Sequence, residues 1–131
     1  MNLAQYVAGQ QGQYKDFAEL VEGMLEVSIR GNRQLRLQQV QSRAKNPASL
    51  KGKLEKVGLL ESNAIEDEIK DLAGCRLIFY TNSDVAAFLS SGILQEHFKV
   101  DWERTKFHHP VPMASEKPRL FISNNFVVKL K

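Results

Sequence analysis

This chain is poor in cysteine, in proline outside one segment, and in long apolar runs. Cys75 is the one cysteine among 131 residues. No internal disulfide can form, so a reducing, cytoplasmic setting is expected. No apolar stretch approaches the roughly 18 residues that a membrane span needs. The opening "MNLAQYVAGQQGQY" lacks both the basic start and the apolar centre of a secretion signal. Three of the four prolines fall at 110, 112 and 118, which marks residues 108–118 as a loop and leaves the rest free for regular structure. Internal repeats and low-complexity tracts are absent. A 43% hydrophobic, 25% charged composition then points to one folded domain of ordinary make-up.

Acid is missing from one region in particular. Between Arg30 and Lys56 the chain carries Arg30, Arg33, Arg36, Arg43, Lys45, Lys51, Lys53 and Lys56 against Glu55 alone. The balance reverses from Glu61 to Asp71, where Glu61, Glu66, Asp67, Glu68 and Asp71 face only Lys70. A basic block beside an acidic one suits a phosphate-and-metal site, and it equally suits two solvated faces.

Periodicity predicts the elements. Tyr14, Phe17, Leu20, Val21, Met24 and Leu25 recur at three-and-four spacing and predict an amphipathic helix over 12–29. Residues 33–42 read as a second short helix or an extended connector. Asn46 is a good N-cap and Pro47 fits the first helical position, so a helix runs to about Lys56 and ends at Gly58. Residues 61–70 read as a short helix or loop. "GCRLIFYT" is a strand, Ser83-Asp84 starts a helix that ends near Phe98, "KVDWERTKF" is a second strand, and "LFISNNFVVKLK" is a third. The expected fold is α+β, with a helical part over about 12–58 and a strand-containing part over about 72–131. The apolar third strand runs straight to Lys131, so we expect a single partial domain over 1–131, incomplete at its C-terminus. An open sheet edge there invites self-association into a homo-oligomer.

The helix that Asn46-Pro47 begins raises a chemical possibility. Arg43 and Lys45 precede it, and Ser49 and Lys53 lie four apart on one face of its first turns. A helix N-terminus offers N–H donors and partial positive charge. Added to three cations and a hydroxyl, it matches a polyphosphate better than a lone carboxylate. Asp71 stands before Gly74 at the entrance to the first strand, with Arg76 five residues on. A carboxylate so placed can anchor Mg²⁺ beside phosphates.

Together these residues read R-x-K-x-x-x-S-x-x-x-K, at Arg43, Lys45, Ser49 and Lys53, then I-x-D-x-x-G-x-R, at Ile69, Asp71, Gly74 and Arg76. Over roughly residues 12–131 the chain resembles the synthetase domain of the RelA/SpoT family. Those enzymes are pyrophosphokinases that transfer pyrophosphate from ATP to the 3′-hydroxyl of GDP or GTP, making guanosine tetraphosphate and its relatives. The resemblance implies a nucleotidyltransferase-like mixed sheet of about three strands with flanking helices. It implies ATP contacts from Arg43, Lys45, Ser49, Lys53 and Arg76, and Mg²⁺ on Asp71 as the catalytic carboxylate. Lys106 falls where the family carries further basic residues. In the family's acceptor-side segment, Phe121 takes the place of a base-stacking tyrosine, Ser123 is kept, and Asn125 stands where a histidine would be. The family's next strand, whose glutamate completes the metal site, has no counterpart before Lys131. The expectation is therefore an ATP and Mg²⁺ half-site without turnover of its own, since loss of a general base alone costs ~10²–10⁴-fold.

Two alternatives stay open: a non-catalytic nucleotide- or RNA-binding module, and a toxin-type relative that pyrophosphorylates the 3′ end of tRNA. His108-His109 is read as incidental to the loop, Cys75 as a small buried filler, and Trp102 as packing.

Overall fold

A computed structural model describes residues 1–108 and 123–131, the side chains of 108 and 123 excepted. Phe121, His109 and the three loop prolines lie outside the described residues. The chain divides into two compact units, Met1–Tyr80 and Thr81–Lys131.

The first unit begins with a short helix α1 (Leu3–Gln5), a π-helical turn (Tyr6–Gln10) and the long α2 (Gln11–Arg30). Strand β1 (Leu37–Ala44), α3 (Pro47–Val57), α4 (Ile65–Glu68) and β2 (Ala73–Phe79) follow. β1 and β2 form an antiparallel two-stranded ribbon in which Gln41 faces Arg76, Ser42 faces Cys75 and Arg43 faces Gly74. α2 packs along this ribbon through Ala18, Val21, Leu25 and Ile29, all buried. The helix is the predicted one, but its inner stripe differs from the expected set. Phe17 and Leu20 are exposed, and with Val27 they line a different side of the helix. Small Ala18 lets α2 sit close to the ribbon, and at 3.6 residues per turn Phe17 and Leu20 then turn away from it.

Of residues 33–42, expected as a short helix or an extended connector, those from Leu37 on are extended and belong to β1. The glutamine-rich stretch has weak periodicity of its own and takes its conformation from pairing with β2. Asn46 caps α3 as expected, its Oδ1 accepting from the amides of Ala48 (2.8 Å) and Ser49 (3.3 Å). Gly58 ends the helix at φ 74°, a left-handed conformation that suits glycine. Under α3 lies a core of Tyr6, Leu50, Leu54, Ile65, Ile69 and Leu72. The Tyr6 hydroxyl donates to the backbone carbonyl of Lys45. That bond fixes the end of the β1 segment over the core.

The second unit holds α5 (Asn82–Ser90), α6 (Ile93–His97), β3 (Phe98–His108) and β4 (Ser123–Leu130). The single helix expected from Ser83 is two helices, broken where Gly92 adopts φ 79°. Its cap is Thr81 rather than Ser83, with Asp84 returning the bond in a capping box. β3 and β4 pair antiparallel, with an irregularity between Asp101 and Lys106. Phe126 meets Trp102 and Phe107 edge-on, at 6.1 and 5.7 Å between ring centres.

The class is α+β, but its sheets are not the expected mixed sheet of three strands. The described residues form two antiparallel two-stranded ribbons. No helix among the described residues is long and apolar enough to cross a membrane.

Candidate functional site

The short link at Asn46-Pro47 decides the geometry of the site. β1 gives way almost at once to α3, so Lys45 closes the extended segment and Lys53 rides two turns into the helix. The ribbon is extended by one more bond, from the Lys45 amide to the Leu72 carbonyl at 2.9 Å. This antiparallel continuation brings Asp71 beside Lys45. Lys45 Nζ donates to Asp71 Oδ2 at 2.8 Å, and Lys53 Nζ to Oδ1 at 3.3 Å.

Three residues chosen from sequence thus meet around one carboxylate. Arg43 is close by, crossing the face of Gly74: a Cβ added there would lie 3.8 Å from Arg43 Cγ. Gly74 sits inside β2 rather than in a tight turn before it. Because Arg43 faces Gly74 and Arg76 follows two residues later, the two guanidiniums share one side of the ribbon. Both are exposed, and neither is in an ion pair among the described residues. Two lysines therefore pair with Asp71, and two guanidiniums lie further along one side of the ribbon.

One expectation changes. The N-terminus of α3 is not an open anion site. Pro47 has no amide hydrogen, Asn46 takes the amides of Ala48 and Ser49, and Leu50 donates to the Asn46 carbonyl at 2.9 Å. The positive charge at this place is that of the side chains. Ser49 is exposed on the first turn of α3, one turn before Lys53. Its amide already serves the cap.

Asp71 is also the residue expected to hold Mg²⁺. Both oxygens of Asp71 are held by ammonium groups, and no group of three or more His, Cys, Asp or Glu side chains gathers as a metal site among the described residues. One such carboxylate fits Mg²⁺ only when phosphate oxygens complete the shell and attract the lysines, the usual mode for this ion.

Partial burial of Asp71 opposes its ionisation, but the hydrogen bond and charge of Lys45, then those of Lys53, outweigh it and hold the carboxyl below its usual range. A carboxylate depressed in the folded state contributes stability above its unfolded pKa of about 3.9, and the contribution is lost as pH falls through the folded value. Denaturant midpoints between pH 7 and pH 3 are therefore expected to fall further for the native chain than for Asp71→Asn. Parallel curves for the two would contradict the pairing.

Other residues singled out from sequence fall elsewhere along the chain. Lys106 belongs to the second unit, opposite Asn125 on β4. Phe121 lies outside the described residues. Cys75 faces the α2 side of the ribbon, where burial, then the charge of Glu22, push its thiol up to about 11. It is half-buried there rather than fully buried, and a protonated thiol is a poor nucleophile. Trp102 touches Phe126 yet is 59% exposed. Sequence reading also passed over Tyr6, the buried support beneath Lys45. Its signal was faint, since it stands outside the long helical pattern. Compared with protein-family models, with curated proteins and with solved structures, the chain matches none of them.

Proposed function

We propose that the first unit binds a nucleoside polyphosphate, as the donor half of a RelA/SpoT-like pyrophosphotransferase. The convergence of Lys45 and Lys53 on Asp71, with Arg43 and Arg76 alongside, carries the proposal. Such a cluster has more positive charge than its own carboxylate can neutralise, and a polyphosphate is the small anion that uses all of it. Lys45 is fixed by its burial and by the strand bond to Leu72, whereas Lys53 is half-exposed and free to swing. Lys45 thus acts as the anchor and Lys53 as the mobile clamp, with Ser49 contributing its hydroxyl on the same helical face.

Along with this function we propose a nucleotidyltransferase-like arrangement for the unit, in which the phosphates lie at the end of the β1–β2 ribbon where α3 begins. Mg²⁺ carried in with the phosphates would supply charge neutralisation, and Asp71 would hold it once its lysines turn to the ligand. By resemblance, the family reaction is ATP-dependent pyrophosphate transfer to GDP or GTP. What the described residues support is the binding of the donor.

Calorimetric titration with a non-hydrolysable ATP analogue tests the assignment. Saturable binding that falls about tenfold or more in Lys53→Ala is expected, the usual scale for a charge-assisted contact. A folded chain that takes up no analogue, with or without Mg²⁺, sinks the proposal.

A further inference from the structure

The β1–β2 ribbon has a second face, away from α2. Ser42 on the inner face donates to Glu22 of α2, so by alternation Gln39, Gln41 and Arg43 point outward, and all three are exposed. On β2 the outward positions are Gly74, Arg76 and Ile78. Just past the end of β2 comes Tyr80, 61% exposed. The Arg36 guanidinium carbon lies 5.8 Å from the centre of its ring. This face carries cations, amides and an exposed aromatic, and no carboxylate stands among those outward positions.

We propose that this outward face is a binding track for single-stranded RNA, with Tyr80 as its base-stacking platform. Length supports a strand over a single nucleotide. Tyr80 lies six positions beyond Gly74, which is beneath Arg43, or about 20 Å at ~3.3 Å per residue. One nucleotide bound by its phosphates at Arg43 does not extend that far, whereas a few extended nucleotides do. Charge supports a polyanion: Arg43 and Arg76 are regularly placed cations with no ion pair among the described residues. Chemistry supports RNA in particular. The Gln39 and Gln41 amides each donate and accept, as does a ribose 2′-hydroxyl. A tyrosine beneath a guanidinium is a platform of fixed orientation on which a base gains by stacking whatever its identity. Arg43 and Arg76 are common to this track and to the polyphosphate cluster, while Tyr80, Gln39 and Gln41 belong to the track alone.

Fluorescence anisotropy of a short labelled oligoadenylate, titrated with the full chain at several salt concentrations, tests the assignment. We expect saturable binding that weakens about tenfold in Tyr80→Ala and is retained in Tyr80→Phe. In Arg76→Ala the slope of log affinity against log salt should fall by about one phosphate's share. The deoxy oligomer of the same sequence should bind more weakly. Titration of Tyr80→Ala with the ATP analogue should match the native chain, so the two sites can fail separately. Absent RNA binding by a chain with native circular dichroism overturns the track. So does an affinity indifferent to Tyr80→Ala, or equal affinity for the deoxy oligomer.

Discussion

Asp71→Asn is expected to bind the ATP analogue about tenfold more tightly than the native chain when Mg²⁺ is absent, and to gain nothing when Mg²⁺ is added. The sign follows from the geometry. In the native chain Lys45 and Lys53 both spend a hydrogen bond on Asp71, so a metal-free polyphosphate must compete with a carboxylate already in place. Removing that charge frees the lysines and removes a repulsion. It also removes the one acidic group that pairs with these lysines among the described residues, so the metal response disappears. The same substitution costs stability, because the Lys45 side chain is only 10% exposed and would lose its counter-charge. Breaking a fully buried pair costs ~3–5 kcal/mol. The loss here should be smaller, since Asp71 is 42% exposed and solvent screens it. Calorimetry with and without Mg²⁺ and a urea titration measure both effects. Weaker metal-free binding in Asp71→Asn would mean that the lysines need Asp71 to hold them in place, contrary to the exchange of partners proposed above.

Leu54→Ala should lower unfolding free energy by ~2–5 kcal/mol, the range for a fully buried leucine cut back to a methyl group. Leu54 has no exposed surface and packs in the core with Tyr6, Leu50, Ile65, Ile69 and Leu72. This core lies directly beneath the site: Tyr6 supports the Lys45 carbonyl, Leu72 accepts the Lys45 amide, and Asp71 is its chain neighbour. Nucleotide binding should therefore fail along with the fold as temperature rises, and at a lower temperature than in the native chain. Thermal melts followed by circular dichroism, with and without the analogue, check this. A midpoint within a degree or two of native would mean that the cavity collapses and the core is less tightly packed than its burial implies.

How far the sequence could be read depended on whether the relevant force was local. The α3 start was legible because Asn46 and Pro47 act on their own neighbours, and the structure has Asn46 bonded as a cap. Lys45, Lys53 and Asp71 were legible as a group through their spacing and the family pattern, although their mutual ion pairing was not. That pairing depends on the antiparallel register of β1 and β2, and β1 was the strand the sequence concealed. Its glutamines show little apolar alternation, and only the partner strand decides their conformation. The buried stripe of α2 was misread for a related reason. The helix carries two apolar sets, one with Phe17, Leu20 and Val27 and the other with Ala18, Val21, Leu25 and Ile29. Bulk favours the first set, but the ribbon accepts the second because alanine permits closer approach. The break at Gly92 was likewise hidden, since a left-handed residue within a helical pattern leaves no periodic trace.

Cys75 offers a natural clock for breathing of the first unit. Its thiol is held in the protonated, slow-reacting form, is half-buried and faces the α2 side of the ribbon, so reagent reaches it more readily when helix and ribbon part. No other thiol in the chain competes for the label. A change in the rate of modification thus reports a change in how closely α2 packs on β1–β2, without any engineered probe. Its slowing by a bound polyphosphate would measure how firmly a ligand on one side of the ribbon holds closed the packing on the other.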